Sequence, residues 1–591
     1  RGMNLAIIGD NRPRLYWSFA AAQCLGGVPV PMYQDAVAQE MLFVLENAEI
    51  EYAIVEDQEQ VDKLLEILSQ YPNLKHIIYD DPRGLRNYTQ PQLMSYDRLR
   101  EIGREFDRQD PGFFERAIGD VRAADVCVML YTSGTTGKPK GVCHTHAGFI
   151  AAARGDVEFD GFNPTDEILS YLPMAWVGDH LFSYAQAMVA GFTVNCPESP
   201  ETVMTDLREI GPTYYFAPPR VFENLLTTVM IRIDDAGRIK RHLFHYFMGV
   251  ARRCGAQIMD GKPVSLSDRL LYWLGDLLIY GPLRNVLGMS RIRVAYTGGA
   301  AIGPDLYRFY RSIGINLKQL YGQTETSVYV CKQPTGAAKL DSVGRPLPGV
   351  EIKIADNGEV LVKTPGMLKE YYKRPDATEE SISPDGYFLT GDAGFLDADG
   401  DLKIIDRAKD VGKFADGSLF APQFLENKLK FFPYIKEAVC FGDKCQMACA
   451  FVNIDIQAVG NWAEKRNLPY SGYIDLAGKP EVYGLIQQCV EQVNADLAKE
   501  PHLAGSQIHR FLVLHKELDP DEDELTRTRK VRRSFVAQKY AVLVDALYGG
   551  KTSQFIRTQV KFEDGRTGNI EADVKIRDAA TYPAAAQRIS A

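Results

Sequence analysis

The segment that most constrains this chain is residues 131–142, which read YTSGTTGKPKGV. It holds three glycines, four hydroxyl residues and two lysines, a composition that cannot bury an apolar face. Glycines let successive backbone N–H groups turn inward, hydroxyls add donors and lysines add charge, which together favour a bound phosphate. The phosphate-loop candidates are Thr132, Ser133, Gly134, Thr135, Thr136, Gly137, Lys138 and Lys140.

The apolar run 126–131 before this loop predicts a buried strand, so the loop leaves a sheet edge where α/β folds bind ligands. A Walker loop is excluded, because Gly137-Lys138 is followed by Pro139 and not by the Ser or Thr that ligates magnesium. The proline also removes a backbone donor. Considered alone, the segment could still be a flexible surface linker rich in Gly, Ser and Thr.

A chain of 591 residues is too long for one hydrophobic core, which predicts two or more domains. Its net charge of −10 argues against a nucleic-acid partner, which would favour a basic surface. No apolar run is long enough to cross a bilayer, and the longest, 270–280, is interrupted by Asp276. We interpret it as a core helix, with an amphipathic helix that touches a membrane as the alternative.

Ten cysteines scattered along the chain predict reduced thiols in a cytoplasmic protein. Cys440, Cys445 and Cys449 lie close together, but no histidine completes a metal-ligand set, so we interpret them as buried structural cysteines. His144 and His146 would point apart on a helix, which disfavours a metal site there.

Strand-like and helical runs alternate in the first part of the chain, as in a parallel sheet covered by helices. Residues 81–120 are charged and predict an irregular surface excursion, whereas 221–290 predict a long helical insertion. We therefore predict an α/β fold in three parts: a large N-terminal domain of parallel or mixed sheets at 1–408, a small mobile α+β domain at 409–545, and a C-terminal extension with a hairpin at 546–591.

In their residue types and the order of those residues, positions 131–142 resemble the phosphate-binding signature of the AMP-forming adenylating enzymes. Further motifs like those of that superfamily follow in order: YTGGA at 296–300, YGQTET at 321–326, YFLTGDAGFLDADGDLKIIDRAKD at 387–410 and ELTRTRKVRRSF at 524–535. The resemblance covers nearly the whole chain, which looks like an acyl-CoA synthetase. It implies ATP, Mg²⁺ and coenzyme A as cofactor and co-substrates.

The resemblance also implies a role for each motif, with residues 131–142 holding the β- and γ-phosphates of ATP. Tyr321 would stack on adenine, Thr324 would touch the α-phosphate and Glu325 would hold Mg²⁺. The remaining implied nucleotide contacts are Gly298, Gly299, Ala300, Gly322, and the ribose-binding pair Asp392 and Arg407.

Two lysines are carried over from the family in the same way. Lys409 matches the hinge about which the small domain rotates, and Lys530 matches the lysine that enters the active site for the adenylating step. Two positions depart from the family pattern: Arg527 stands where relatives usually have proline, and Gln323 where they usually have leucine or methionine. The first puts the local loop geometry in question; the second touches the nucleotide pocket without removing a catalytic group.

Two features resemble the long-chain fatty acyl-CoA synthetases in particular. Small-acid relatives lack the insertion at 221–290, and the segment 170–188 occupies the place of the acyl tunnel. Trp176 in that segment is either a tunnel gate or a core tryptophan. The resemblance therefore implies a long-chain fatty-acid–CoA ligase that forms acyl-AMP and then the CoA thioester, releasing AMP and pyrophosphate.

Two alternatives remain open at this point. The first is an adenylating enzyme for another carboxylic acid or for a carrier protein. The second is a silent acyl- or nucleotide-binding module, which we would expect to have lost Glu325 or Lys530. For the ligase we expect fatty acid, ATP and CoA as partners, no nucleic acid, and a cytoplasmic location that a peripheral membrane contact could accompany.

Overall fold

The computed structural model describes most of the chain. The described residues are 1–132, 139–300, 302–408, 411–430, 432–498, 504–520, 522–526, 531–561 and 567–583.

The first sheet confirms the alternating strand and helix pattern predicted for the beginning of the chain. Its five parallel strands lie in the order Val28–Met32, Asn4–Ile8, Tyr52–Val55, His76–Tyr79 and Leu93–Ser95. Helices connect the strands at Pro13–Cys24, Ala38–Asn47 and Gln58–Ile67. Ala6, Ile7 and Ile8 on the second strand are fully buried, as expected for a parallel sheet with both faces covered.

The second sheet has seven strands and is mixed. They lie in the order Arg345–Pro346, Cys331–Lys332, Leu317–Tyr321, Val294–Thr297, Tyr214–Phe216, Glu167–Leu169 and Thr193–Asn195. The first two pair antiparallel and the other five are parallel, so both sheet types predicted for the large α/β region are present.

The strand before the phosphate loop lies in a different sheet from the one we expected. Val126–Thr132 pairs antiparallel with Lys140–Thr145, and Thr132 lies opposite Lys140. The two strands that flank the loop thus belong to a three-stranded antiparallel sheet completed by Glu370–Tyr371, and not to a parallel sheet. The reason is that Lys140–Thr145 is itself extended and buried, so the chain folds back before the helix His146–Asp160 begins.

Two smaller antiparallel sheets follow. One has the strand order Glu351–Ile354, Glu359–Lys363, Phe388–Leu396 and Leu402–Arg407. The other pairs Gly412–Lys413 with Leu419–Phe420.

The last sheet contains the strands Ile435–Phe441, Ala448–Ile454, Ile508–Val513, Thr567–Asp578 and Ser553–Lys561, in that order. The final two strands pair antiparallel with each other, and Ile576 lies opposite Leu512 in the neighbouring strand. Helices Pro422–Lys430 and Pro480–Leu497 contribute Leu425, Leu429 and Ile486 to the core beside this sheet.

The remaining α-helices are shorter or lie at the surface. They are Tyr96–Gln109, Phe113–Gly119, Val177–Asp179, Gln186–Ala190, Val203–Ile210, Pro304–Ser312, Pro375–Ser381, Ile456–Glu464, Tyr473–Gly478, Arg533–Lys539 and Ala541–Tyr548, with a π-helical turn at His180–Ala185 and 3₁₀ turns at Thr324–Thr326 and Ala504–Ser506. Within the described residues, no helix combines the length and apolar character needed to cross a membrane.

The expectation that residues 81–120 are irregular was wrong, because two helices form there. Ser95 caps the first of them by accepting a hydrogen bond from the N–H of Arg98 at 3.2 Å, and Arg98 pairs with Glu101 one turn on. Capping and charge pairs of this kind stabilise an exposed helix that has little apolar surface to bury.

The insertion at 221–290 is helical, as predicted. Its α-helices are Pro219–Asp234, Arg238–Val250, Ala256–Met259, Leu266–Gly275 and Gly281–Val286, with π-helical turns at Ala251–Gly255 and Asp276–Tyr280. The run 270–280 is not a core helix, since Leu270, Trp273 and Leu277 are exposed.

A buried ion-pair network lies where helix His146–Asp160 crosses the seven-stranded sheet. Lys332 Nζ lies 2.8 Å from an oxygen of Asp156 and 3.4 Å from one of Asp160, and Lys318 Nζ lies 2.7 Å from the other Asp160 oxygen. The hydroxyl of Tyr296 donates to Asp160 at 2.8 Å. Each charge is matched, which is the condition under which buried ions are tolerated.

We expect Lys332→Met to destabilise the protein strongly, because it leaves Asp156 and Asp160 with the single cation of Lys318. Breaking a buried pair in this way costs about 3–5 kcal/mol. Scanning calorimetry should show a clear drop in the melting temperature. Lys353→Met is the matched control, since it removes an exposed, solvent-screened pair with Asp385 and should leave the melting temperature nearly unchanged. Equal shifts for the two variants would contradict this account of the network.

Candidate active site

Two adjacent parallel strands end at the same edge of the seven-stranded sheet. The motif YTGGA at 296–300 lies at the end of one strand, and YGQTET at 321–326 lies at the end of the other. Val294–Thr297 pairs with Leu317–Tyr321, so Gly298 comes directly after one strand and Tyr321 ends its neighbour. A side chain at Gly298 would lie 2.7 Å from a Leu320 methyl group, and one at Gly322 would lie 2.5 Å from the Val328 backbone. Only glycine lets the backbone pack this closely at these two positions.

Asp392 receives three donors from two segments of the chain. It lies opposite Arg407 across an antiparallel strand pair, and the guanidinium reaches one carboxylate oxygen at 2.9 Å. Tyr321 OH and Gln323 Nε2 both donate to the other oxygen, each at 2.6 Å. Burial, together with the Asp392 carboxylate, raises the pKa of Tyr321 well above its usual value, so the phenol stays protonated and donates.

Gln323 has a role here that the sequence did not reveal. Besides its bond to Asp392, its side-chain amide donates to the carbonyl of Thr390 at 2.8 Å. Its backbone N–H donates to the hydroxyl of Thr326, which caps the 3₁₀ turn carrying Thr324 and Glu325. A leucine or methionine at this position could not donate to Asp392.

The Glu325 side chain is positioned by a residue that sequence reasoning missed. Tyr371 OH donates to Glu325 Oε1 at 2.9 Å, and the ammonium of Lys140 lies 4.9 Å from the centre of the Tyr371 ring. Burial and the Glu325 carboxylate raise the pKa of Tyr371, which keeps this donor protonated. The strand Glu370–Tyr371 pairs with Lys140–Thr145, and this pairing brings phosphate-loop and metal-site candidates together.

His144 contacts the 3₁₀ turn Thr324–Thr326. It is on a strand and not on the helix that we assumed, and its Nε2 hydrogen bonds to the carbonyl of Thr324 at 2.8 Å. Burial lowers its pKa to about 4, so the ring is neutral at physiological pH. Ser327 and Val328 follow with positive φ angles of 50° and 57°, a strained conformation that the surrounding contacts must hold.

Glu325 fits the expected magnesium ligand by the chemistry of its donor atoms. Among the described residues, Oε1 has one hydrogen-bond donor and Oε2 has none, which leaves carboxylate oxygen for a hard cation. A second acidic group, Asp397, Asp399 and Asp401, does not compete, because Lys339 Nζ lies within 2.7 Å of all three carboxylates.

A single cleft of about 4810 Å³ joins these polar residues to an apolar wall. Trp176 lines it and packs on Phe216, with ring centres 5.4 Å apart. The indole packs directly against Gly178. Any other residue at position 178 would clash with it, because a Cβ there would lie 2.1 Å from the ring. Beyond Trp176 and Phe216, the apolar lining includes Leu226, Met230, Phe244, Met248, Ile302, Leu306 and Phe309.

The structure brings most of the described site candidates into this cleft. The lining includes Thr132, Gly298, Gly299, Ala300, Tyr321, Gly322, Thr324, Glu325, Asp392 and Arg407, with Lys140 beside Tyr371. The candidates Ser133, Gly134, Thr135, Thr136, Gly137, Lys138, Lys409 and Lys530 lie outside the described residues, as does Arg527.

Known proteins resemble this chain in sequence. The sequence model of the family described as "AMP-binding enzyme" matches residues 1–372. A long-chain-fatty-acid–CoA ligase of Mycobacterium tuberculosis is 31% identical over 534 residues, covering 89% of this chain and 85% of the relative. The peroxisomal long chain acyl-CoA synthetase 7 of Arabidopsis thaliana is 27% identical, covering 91% of this chain and 77% of that protein.

Solved structures share the fold. The adenylation domain of a carboxylate reductase from Mycobacterium chelonae aligns with a TM-score of 0.62 at 19% identity. The alignment covers 93% of this chain and 81% of that one, so the likeness extends over large and small regions alike.

We expect Gln323→Leu to weaken AMP binding about fivefold, since Asp392 would lose one of its three donors, a loss of about 1 kcal/mol. Isothermal titration calorimetry measures the dissociation constant directly. Gln487→Leu is the control, because that glutamine lies on helix Pro480–Leu497 and does not line the cleft. Unchanged affinity in Gln323→Leu would show that Asp392 is held well enough without it.

Proposed function

Because this chain belongs to the AMP-binding enzyme family, we propose that it activates a long-chain fatty acid with ATP and transfers the acyl group to coenzyme A. One observation carries the proposal: polar residues that suit a nucleotide and a long apolar wall line the same cleft. Asp392 and Glu325 lie on the polar side, and Phe244 and Met248 on the apolar side. A small acid would not need that wall.

In the first half-reaction, an oxygen of the fatty carboxylate attacks the α-phosphorus of ATP. The bond from the α-phosphorus to the bridging oxygen breaks, pyrophosphate leaves and acyl-AMP forms. The ribose hydroxyls donate to Asp392, and Tyr321 stacks on the adenine. Donors from the loop at 131–142 hold the β- and γ-phosphates. Positioning and charge stabilisation of this kind account for most of the catalysis in phosphoryl transfer.

Glu325 would hold Mg²⁺, which when bound neutralises part of the phosphate charge. Tyr371 orients the Glu325 carboxylate by its hydrogen bond, and the capped 3₁₀ turn fixes the backbone from which Glu325 extends. Thr324 on the same turn contacts the α-phosphate. His144 supports this turn through the Thr324 carbonyl and, being neutral, adds no charge.

In the second half-reaction, the CoA thiolate attacks the acyl carbonyl carbon, the bond to the phosphate oxygen breaks and AMP leaves. We propose that the small domain rotates about Lys409 between the two steps, withdraws Lys530 and brings the loop Lys413–Ala421 to the adenylate. A rotation of this kind must break the ion pair between Lys465 and Asp234, whose atoms are 2.6 Å apart across the cleft.

We further propose that the protein works in the cytoplasm. All ten cysteines are free thiols, which suits a cytoplasmic enzyme. A ligase whose acid partitions into bilayers would also work as a peripheral membrane protein. The second candidate function is adenylation of an acid for transfer to a carrier protein. The adenylation domain of the carboxylate reductase has the same fold as this chain.

The experiment that tests the function measures AMP and pyrophosphate release with palmitate, acetate and benzoate, each with and without CoA. We expect palmitate to give the highest kcat/KM and CoA to convert the adenylate to a thioester. Preference for acetate or benzoate would overturn the long-chain assignment. Adenylate formation that CoA never discharges would favour the carrier-protein alternative.

We expect Lys530→Ala to lower the rate of acyl-AMP formation by about 10²–10³-fold, because a positioned charge at the transition state contributes about 3–4 kcal/mol. Thioester formation from supplied acyl-AMP should be unaffected. Rapid-quench assays of the two half-reactions separate these steps, with the exposed Lys551→Ala as the control. Equal loss of both half-reactions would contradict the role given to Lys530.

A further inference from the structure

The helical insertion carries an apolar stripe that faces solvent. On helix Leu266–Gly275 and the turn after it, Leu266, Leu270, Trp273 and Leu277 recur at the spacing of one helix face. Leu266 is 85% exposed and Trp273 is 60% exposed. Isolated exposed apolar residues are ordinary, but a continuous stripe of large ones indicates a contact surface.

A second stripe lies on the neighbouring helix Arg238–Val250, which packs against Leu266–Gly275. Ile239, Leu243 and Tyr246 follow the same spacing and are exposed, Ile239 by 79%. We call Ile239, Leu243, Tyr246, Leu266, Leu270, Trp273 and Leu277 the insertion face.

The helix that carries the second stripe has another side, which lines the cleft. Phe244 and Met248 on that side are buried and belong to the apolar wall. One helix, about 10 Å across with its side chains, therefore separates the insertion face from the wall of the cleft.

The charge around the insertion face is opposite to that of the whole protein. Residues 236–286 contain eight Lys or Arg and three Asp, whereas the full chain has a net charge of −10. All three aspartates are already paired with basic residues: Asp260 with Arg311, Asp268 with Arg253 and Asp276 with Arg284. Among the described residues, no carboxylate lies within ion-pair distance of Arg238, Lys240 or Arg269, which are next to Ile239 and Leu270 in the sequence.

We propose that the insertion face docks the protein on the surface of an anionic lipid membrane and takes the fatty acid from it. Exposed apolar stripes enter the boundary between headgroups and acyl chains, while flanking cations attract acidic headgroups. Tryptophan favours that boundary because its ring is amphipathic. The part of the inference that concerns the fatty acid rests on the proposed function; the docking itself does not.

A second copy of the chain fits this surface less well than a membrane does. In a two-fold contact the same patch meets itself, so the unpaired cations at its border would face one another. An anionic bilayer instead supplies negative charge along the whole border of the patch. Self-association through this face is accordingly an outcome that overturns the proposal.

The test is co-sedimentation of the full chain with vesicles of phosphatidylcholine alone and of phosphatidylcholine with phosphatidylglycerol. We expect wild-type protein to bind the anionic vesicles and to be released at high salt. Trp273→Glu and, separately, Leu270→Glu should each lower the partition coefficient by about tenfold or more, since each replaces a large apolar side chain that enters the lipid with a charged one. Trp17→Glu is the matched control, because Trp17 is 59% exposed but lies on helix Pro13–Cys24, outside the insertion face.

Activity measured in two ways separates this inference from the proposed function. With palmitate delivered by cyclodextrin, all variants should match the wild type. With palmitate embedded in anionic vesicles, Trp273→Glu should be slower and Trp17→Glu should not. Absent ligase activity with cyclodextrin would overturn the proposed function, and vesicle binding could still be tested. Intact activity with no vesicle binding, or a dimer by light scattering that Trp273→Glu converts to a monomer, would overturn the docking surface.

Discussion

The carboxylate of Asp392 joins the strand pair that carries Asp392 and Arg407 to the turn at 321–323, about 70 residues earlier in the chain. Tyr321 and Gln323 reach it from one sheet, and Arg407 reaches it across a strand pair of another. Because Asp392 is buried, its polar oxygens need these donors, and the same hydrogen bonds tie the two sheets together. Thr324 and Glu325 follow Gln323 on one capped turn, so the position of the metal-site candidate depends on the same contact.

The helical insertion supplies part of the apolar wall of the cleft. Its helix Arg238–Val250 turns one face toward the cleft and the opposite face toward solvent, and both faces are apolar. A helix of a soluble protein normally pairs one apolar face with a polar one. Two apolar faces on one helix are understandable if the inner face contacts an acyl chain and the outer face contacts the lipid from which that chain comes.

Much of the nucleotide edge could be predicted because its residues occur in short motifs with a local physical reason. Gly298 and Gly322, for example, lie where any side chain would clash. Residues that act through tertiary contacts gave no such signal: His144 reaches Thr324, and Tyr371 reaches Glu325, only through strand pairing. The same limit explains why 81–120 was misjudged, since charge-rich sequence does not reveal a helix stabilised by a cap and surface ion pairs.

A crystal structure with a stable acyl-AMP analogue, such as a palmitoyl sulfamoyl adenosine, tests the central claim most directly. That claim is that one cleft holds the nucleotide at Asp392 and the acyl chain along the wall of the insertion. The account predicts ribose oxygens within hydrogen-bond distance of Asp392 and a chain that passes Trp176 toward Phe244 and Met248. A ribose bound away from Asp392, or an acyl chain that leaves the cleft without touching that wall, would contradict it.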